Sequence, residues 1–230
     1  MRQRGRKRVA VIGLGQFGRH LAVRLAADGD VLAIDRSHGL VTDIAPQVQR
    51  ALALDAREYA VLADAIGEGF DEAVVAMSGS MEASILCVLH LKRLRVGHII
   101  AKAANPDHGE ILRAVGAHEI AFPERETAWR LATQMLHPNL LDFLPLSDDY
   151  LVMQIAPPNA FIGRTLAELN LRQQYGIYVV AVKEYVPERM LMLPGPDFMI
   201  KLSDSLFVIG REKSLAGLQE LSAPGEGDSK

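Results

Sequence analysis

Three glycines, Gly13, Gly15 and Gly18, follow the apolar run "RVAVI" in the spacing G-x-G-x-x-G and lead directly into an amphipathic stretch. That spacing suits pyrophosphate chemistry. The first glycine permits a tight turn after a strand, the second lets phosphates approach the backbone, and the third lets the helix pack closely while its N-terminal N–H groups face the anion. Asp35 ends a second apolar run, "VLAID", about 20 residues further on. A carboxylate there accepts hydrogen bonds from both ribose hydroxyls of an adenosine and repels a 2′-phosphate, although the neighbouring Arg36 weakens that exclusion. Asp55 closes a third run, "ALALDA". It is placed either to meet an adenine amino group or simply to cap the strand end.

Catalysis by a bound nicotinamide would need a proton-transfer group beside the reacting carbon. His20, His38, His90, His98, His108, His118 and His137 are scattered without metal-ligand spacing, and no histidine follows His137. The sequence has no Tyr-x-x-x-Lys, Cys-x-x-Cys or Ser/His/Asp pattern, so a binding role is expected over an oxidoreductase. The single cysteine, Cys87, sits in the amphipathic "MEASILCVLHLKRL", where a buried small hydrophobe is expected, not a nucleophile.

The elements that must position these groups are legible as a rhythm. Strand-length apolar runs at 8–12, 30–34, 50–54, 72–77, 98–103 and 119–122 alternate with helical patterns near 17–28, 39–46, 57–66, 80–95, 107–115 and 124–136. Continuous apolar strands alternating with helices predict an α/β fold, a Rossmann-like doubly wound parallel sheet covered on both faces. This domain is expected over 8–136. Pro138 and Pro145 interrupt the next stretch, and 137–149 is expected to be a crossover linker. Its apolar "NLLDFLPL", residues 139–146, suits either packing between subunits or burial between domains. A small α+β domain is expected over 150–221, from "YLVMQIA", "TLAELNL", "IYVVAVKEY", "MLML", "DSLFVIG" and a final helix through "REKSLAGLQEL". Residues 1–7 and 222–230 are expected to be disordered tails.

Charge is nearly balanced, 25 Lys and Arg against 28 Asp and Glu among 230 residues, so no general case exists for nucleic-acid binding. The basic cluster Arg2, Arg4, Arg6, Lys7, Arg8 is a solvated tail or a contact for anionic lipid or an acidic partner. No apolar window approaches the ~20 residues of a membrane span, and the first apolar run lacks the marks of a signal peptide. One cysteine excludes an internal disulfide and fits a reducing, cytoplasmic setting.

From residue 8 to about 221 these segments, most specifically "GLGQFG", "FPERE" and "SDSLFVIG", resemble the TrkA/KtrA family of RCK proteins, with a TrkA-N domain followed by a TrkA-C domain. The resemblance implies a cytosolic gating subunit rather than an enzyme, peripherally attached to the membrane through a Ktr/Trk-type potassium channel subunit. It implies dimers assembling into an octameric ring, with ATP and ADP, or NAD and NADH, exchanging in the Rossmann cleft. A regulator of another cation transporter or antiporter would use the same domains. The resemblance carries the phosphate loop onto Gly13, Gly15, Gln16, Phe17 and Gly18, and the ribose and adenine contacts onto Asp35, Arg36, Asp55 and Ala56. It carries further cleft walls onto Met77, Ser78, Gly79, Lys102 and Ala103. Two departures stand out: Gln16 where many members have Arg, and "MSGS" where many have an Ile-Gly pair. Glu124 of "PERE" matches a glutamate that meets its dimer mate and binds Mg²⁺ or Ca²⁺; from the residues alone it is equally a first-turn glutamate complementing a helix dipole. The TrkA-C module either dimerises only or also binds a small ligand such as cyclic di-AMP, for which Arg172 and Pro194 are the matching positions.

Overall fold

A computed structural model describes residues 6–211 and 213, except 68, 78, 138 and 148. The chain divides into two compact units, residues 1–126 and 127–230.

The first unit is a parallel sheet of six strands: β1 (Arg8–Ile12), β2 (Asp30–Asp35), β3 (Arg50–Ala53), β4 (Glu72–Val75), β5 (His98–Lys102) and β6 (Glu119–Ala121). Their spatial order is β3-β2-β1-β4-β5-β6. Between them run α1 (Gln16–Ala26), α2 (His38–Ile44), α3 (Tyr59–Ile66), α4 (Met81–Arg93) and α5 (Pro106–Val115). Alternate residues of each strand feed opposite faces. Ala10, Ile12, Leu32 and Ile34 pack with Leu62, Ile66, Val88, Leu91 and Leu112 of α3, α4 and α5. Val9, Val11, Val31 and Ala33 pack with Ala22, Val41 and Ile44 of α1 and α2. Both faces being covered is why the strands read as unbroken apolar runs. Strand order reverses between β1 and β4, and ligands of open parallel sheets bind at such a switch point, outside the carboxyl ends of the strands. Cys87 is fully buried, and desolvation pushes its thiol well above the ordinary range, which keeps it protonated and inert.

Helix α6 (Pro123–Leu136) spans the division, and the second unit then continues into an antiparallel sheet. Its strands are β7 (Leu140–Pro145), β8 (Tyr150–Ile155), β9 (Tyr178–Tyr185), β10 (Glu188–Met192) and β11 (Ser205–Arg211), in the order β10-β9-β11-β8-β7. The short helices α7 (Leu166–Leu169) and α8 (Leu171–Tyr175) connect β8 to β9. Thr165 and Glu168 close a reciprocal capping box at the start of α7. The core gathers Phe143, Met153, Phe161, Leu169, Ile177, Val182, Leu206 and Val208.

One expectation needs correcting. The stretch 137–149, read as a crossover linker, carries β7, whose residues pair with β8 from Leu140↔Ile155 to Pro145↔Leu151. Pro145 is tolerated because β7 is an edge strand. Phe143 points inward and meets the Trp129 ring edge-on, with centroids 4.9 Å apart. The final helix expected through 211–221 and both expected tails fall largely or wholly outside the described residues.

Candidate functional site

The turn after β1 is built on close approach. Gly13 has φ +97°, and a Cβ there would stand 2.9 Å from the backbone of Ala76 and Met77, just beyond β4. Gly18 is more constrained still, since its Cβ would lie 1.9 Å from the Gly13 carbonyl oxygen. Gly15 occupies the N-cap of α1, no side chain caps the helix, and no acidic residue sits in its first turn. The first N–H groups of α1 are therefore left for an anion.

Asp35 ties this turn to the next one. Its Oδ2 accepts the Leu14 N–H at 2.7 Å and its Oδ1 accepts the Ser37 N–H at 2.8 Å. A carboxylate at the end of β2 thus fixes both the phosphate loop and the β2–α2 turn, while each oxygen keeps a lone pair for a ribose hydroxyl.

A cleft of about 390 Å³ opens at this edge of the sheet. Of the expected residues, Gly13, Gly15, Asp35, Arg36, Asp55, Ala56, Met77 and Gly79 line it. Gln16, Phe17 and Gly18 do not: they form the first turn of α1 behind the loop, and Gly18 is buried in packing. Ser78 lies outside the described residues. Sequence reasoning missed Leu40, Leu54, Arg57, Ser80 and Ala83, which also line the cleft. Ser80 had a legible signal, a serine just before an amphipathic run, and its Oγ does cap α4 by accepting the Ala83 N–H at 3.2 Å.

The Asp55 end of the cleft differs from the simplest expectation for that residue. Its carboxylate is engaged by Arg57, with Nε 3.0 Å from both oxygens and Nη2 2.5 Å from Oδ2, and it also accepts the Arg57 backbone N–H at 3.0 Å. These bonds, with the nearby charge of Arg36, hold the Asp55 carboxyl down at about 2. Asp55 is therefore a turn-capping, ion-paired group as well as a cleft wall.

Lys102, Ala103 and Glu124 gather at the ends of β5 and β6 instead of in the cleft. Lys102 is buried, its Nζ bonded to the Glu124 carboxylate and 5.9 Å from the centre of the Phe17 ring. That ring contact connects the pair to the phosphate loop. The ammonium holds the Glu124 carboxyl below its ordinary value of 4.5. Stability from this pair is thus complete above that value and is lost as pH falls through the lower value of the folded chain. The stability gap between wild type and Glu124→Gln, measured by urea denaturation, is expected to be constant well above pH 4.5 and to close as pH falls below it; a gap that does not change on acidification would remove the ionic contribution.

Among the described residues no group of three or more His, Cys, Asp or Glu side chains converges to hold a metal ion. Glu124 offers one carboxylate from this chain. Among the described residues no His, Cys, Lys or Tyr lines the cleft. A Ser–His contact does exist, Ser84 Oγ to His108 Nε2 at 2.9 Å, but it is buried between α4 and α5. His108 Nδ1 accepts the Ala104 N–H, so Nε2 carries the proton and donates it to Ser84, whose own hydroxyl donates to the Met81 carbonyl. Burial also depresses the His108 pKa. This pair packs helices and activates nothing. In the second unit, Arg172 lies on α8 with its guanidinium 5.3 Å over the Tyr178 ring, and Pro194 follows β10, half-buried.

Residues 9–123 match the TrkA-N domain and residues 151–223 the TrkA-C domain. The chain is 35% identical over 206 residues to the Ktr system potassium uptake protein C of Bacillus subtilis (strain 168), covering 89% of this chain and 92% of that one. Among solved structures, the GsuK channel superposes with a TM-score of 0.67 at 20% identity, over 100% of this chain and 41% of the channel chain. The GsuK channel bound to NAD superposes with a TM-score of 0.63 at 19% identity, over 99% of this chain and 41% of that one. This chain therefore spans under half the length of those channel chains, and the likeness is one of fold.

Proposed function

The chain belongs to the TrkA-N/TrkA-C family of RCK proteins that contains the Ktr system potassium uptake proteins, and we propose that within it this protein is a nucleotide-sensing regulatory subunit of a potassium transport system. The observation that carries the reading is the Asp35 carboxylate, fixed by two backbone N–H groups beside the open N-terminus of α1, in a cleft that, among the described residues, no His, Cys, Lys or Tyr lines. Such a cleft holds a ribose and its phosphates without offering the histidine, lysine or tyrosine that a dehydrogenase uses for proton transfer.

In this reading ATP and ADP, or NAD and NADH, exchange in the cleft. Exchange gates a transporter only through unequal affinity for two states, and shifting an equilibrium from 1:99 to 99:1 takes about 5.5 kcal/mol in total. Shared over a ring of several copies, each site supplies roughly 1 kcal/mol or less, within the usual range of coupling. The chain acts as dimers in an octameric ring on the cytoplasmic face of a Ktr- or Trk-type membrane subunit; among the described residues no helix is long and apolar enough to cross a membrane. Glu124, with the same residue of a second copy, would hold a divalent cation, Mg²⁺ or Ca²⁺, which would supply positive charge between the two carboxylates once the Lys102 contact opened. Arg172 and Pro194 are the residues we assign to a small-ligand site in the second unit, with cyclic di-AMP among its candidate occupants.

Thermal unfolding with ATP, ADP, NAD, NADH and NADPH, with and without Mg²⁺, tests this. A ligand at about 100 times its Kd adds roughly 2.7 kcal/mol and raises Tm by about 5–11 °C for a chain of this size. Shifts with ATP and ADP are expected, enlarged by Mg²⁺ in wild type but not in Glu124→Gln. A shift with NADH alone would make the chain a redox sensor, and no shift with any nucleotide would overturn the proposal.

A further inference from the structure

Asp55 is the group expected to read the base, yet its two oxygens are occupied by Arg57. What the cleft presents at that end is the guanidinium. We infer that Arg57 is the base-selecting residue of the cleft, its planar guanidinium forming a platform on which a purine ring stacks. The inference rests on the nucleotide-binding reading above and adds the residue that chooses the base.

Three observations carry it. First, Arg57 lines the cleft together with Leu40, Leu54, Ala56 and Ala83, apolar groups suited to a flat ring, while Gly13, Gly15 and Asp35 line another part of its wall. Second, Arg57 is held both at its guanidinium and at its backbone. Asp55 grips Nε and Nη2 in a fork, and buried His90 on α4 donates from Nε2 to the Arg57 carbonyl at 2.9 Å, its ring in turn braced edge-on by Tyr59 at 5.4 Å. An arginine side chain fixed in one plane gives up little freedom when a ring stacks on it. Third, the fork leaves Nη1 outside the pair, and the Arg57 side chain stays 46% exposed, so one face and one donor edge are available. Neutralised at its Asp55 side, Arg57 offers the base a surface instead of a bare charge. Arg36, on the same cleft wall, adds a second positive group near Asp55.

Stacking on a guanidinium or aromatic face favours the larger π-surface of purines and tolerates differences in their edges. The protein should therefore bind ATP and GTP with similar affinity and CTP measurably more weakly by isothermal titration calorimetry. Arg57→Lys keeps the charge and stem but loses the plane and the fork, and it should erase most of the purine preference. Asp55→Asn, which loosens the fork, should fall between the two. A variant that merely weakened the turn would lower all affinities together and leave the ATP/CTP ratio intact. A wild-type chain that binds ATP and CTP alike, or an Arg57→Lys variant with the wild-type ratio, overturns the inference while leaving nucleotide binding standing. A wild-type chain that binds none of the three overturns the inference, and one that also fails to bind NAD and NADH overturns the nucleotide-binding reading with it.

Discussion

Asp35→Ala is expected to lower adenine-nucleotide affinity by at least about 100-fold while leaving a folded protein. Two hydrogen bonds from ribose hydroxyls to a charged acceptor contribute about 1.5–3 kcal/mol each, and about 3 kcal/mol is more than two decades in Kd. The substitution has a second cost. Leu14 N–H and Ser37 N–H both donate to this carboxylate, and the Leu14 N–H is in a buried turn. Its orphaning costs about 1–3 kcal/mol of stability and lets the loop drift from the geometry that receives phosphate. Asp35→Asn separates the two effects. An amide can accept from only one side, so it should keep the Leu14 or the Ser37 contact and lose part of the ribose interaction. Titration calorimetry with ADP, alongside urea denaturation, reads both quantities; wild-type affinity in Asp35→Ala would remove Asp35 from the binding site.

Gly18→Ala is expected to be the most destabilising small substitution in the first unit. The new methyl would stand 1.9 Å from the Gly13 carbonyl oxygen and 3.0 Å from Ala76 Cβ. The carbonyl belongs to a residue whose N–H donates to the Ile34 carbonyl at 2.8 Å, so it cannot retreat without pulling the loop off β2. Relief requires α1 to move away from the sheet, where Ala22 and Leu14 are fully or almost fully buried. A loss of about 3 kcal/mol or more is expected, with nucleotide binding abolished. Gly79→Ala is the matched control, because it lines the same cleft and its Cβ would meet nothing within 4 Å. That variant should stay within about 0.5 kcal/mol of wild type. Equal midpoints for the two alanine variants would show that the close approach at Gly18 is not what holds the loop.

Much of this architecture is written plainly in the chain. "RVAVI", "VLAI" and "EAVV" announce strands buried on both faces, and the glycine spacing places the turn that follows the first of them. β7 was hidden because its buried residues, Leu140 and Phe143, lie three apart across a register shift instead of alternating, and because it carries Pro145, so its apolar residues read as an interrupted linker. The Asp55–Arg57 fork was hidden for another reason. Two oppositely charged residues two apart look like an exposed surface pair, and only the folded β3–α3 turn bends them into one plane. The Lys102–Glu124 contact joins residues 22 apart whose meeting depends on β5 and β6 lying side by side. The site was thus legible where chemistry follows from local spacing, and illegible where two loops supply it jointly.

The pairing of β7 with β8 also says where the gene can be divided. A fragment begun at residue 151, where the TrkA-C match starts, would discard the outer strand of the second sheet and leave β8 with an open row of N–H and C=O groups. One begun at 127 retains β7 together with the part of α6 that carries Trp129, and so keeps the Trp129–Phe143 contact. The family match and the compact unit therefore begin 24 residues apart, at 151 and 127, and a transplant into another chain has to respect the second boundary, not the first.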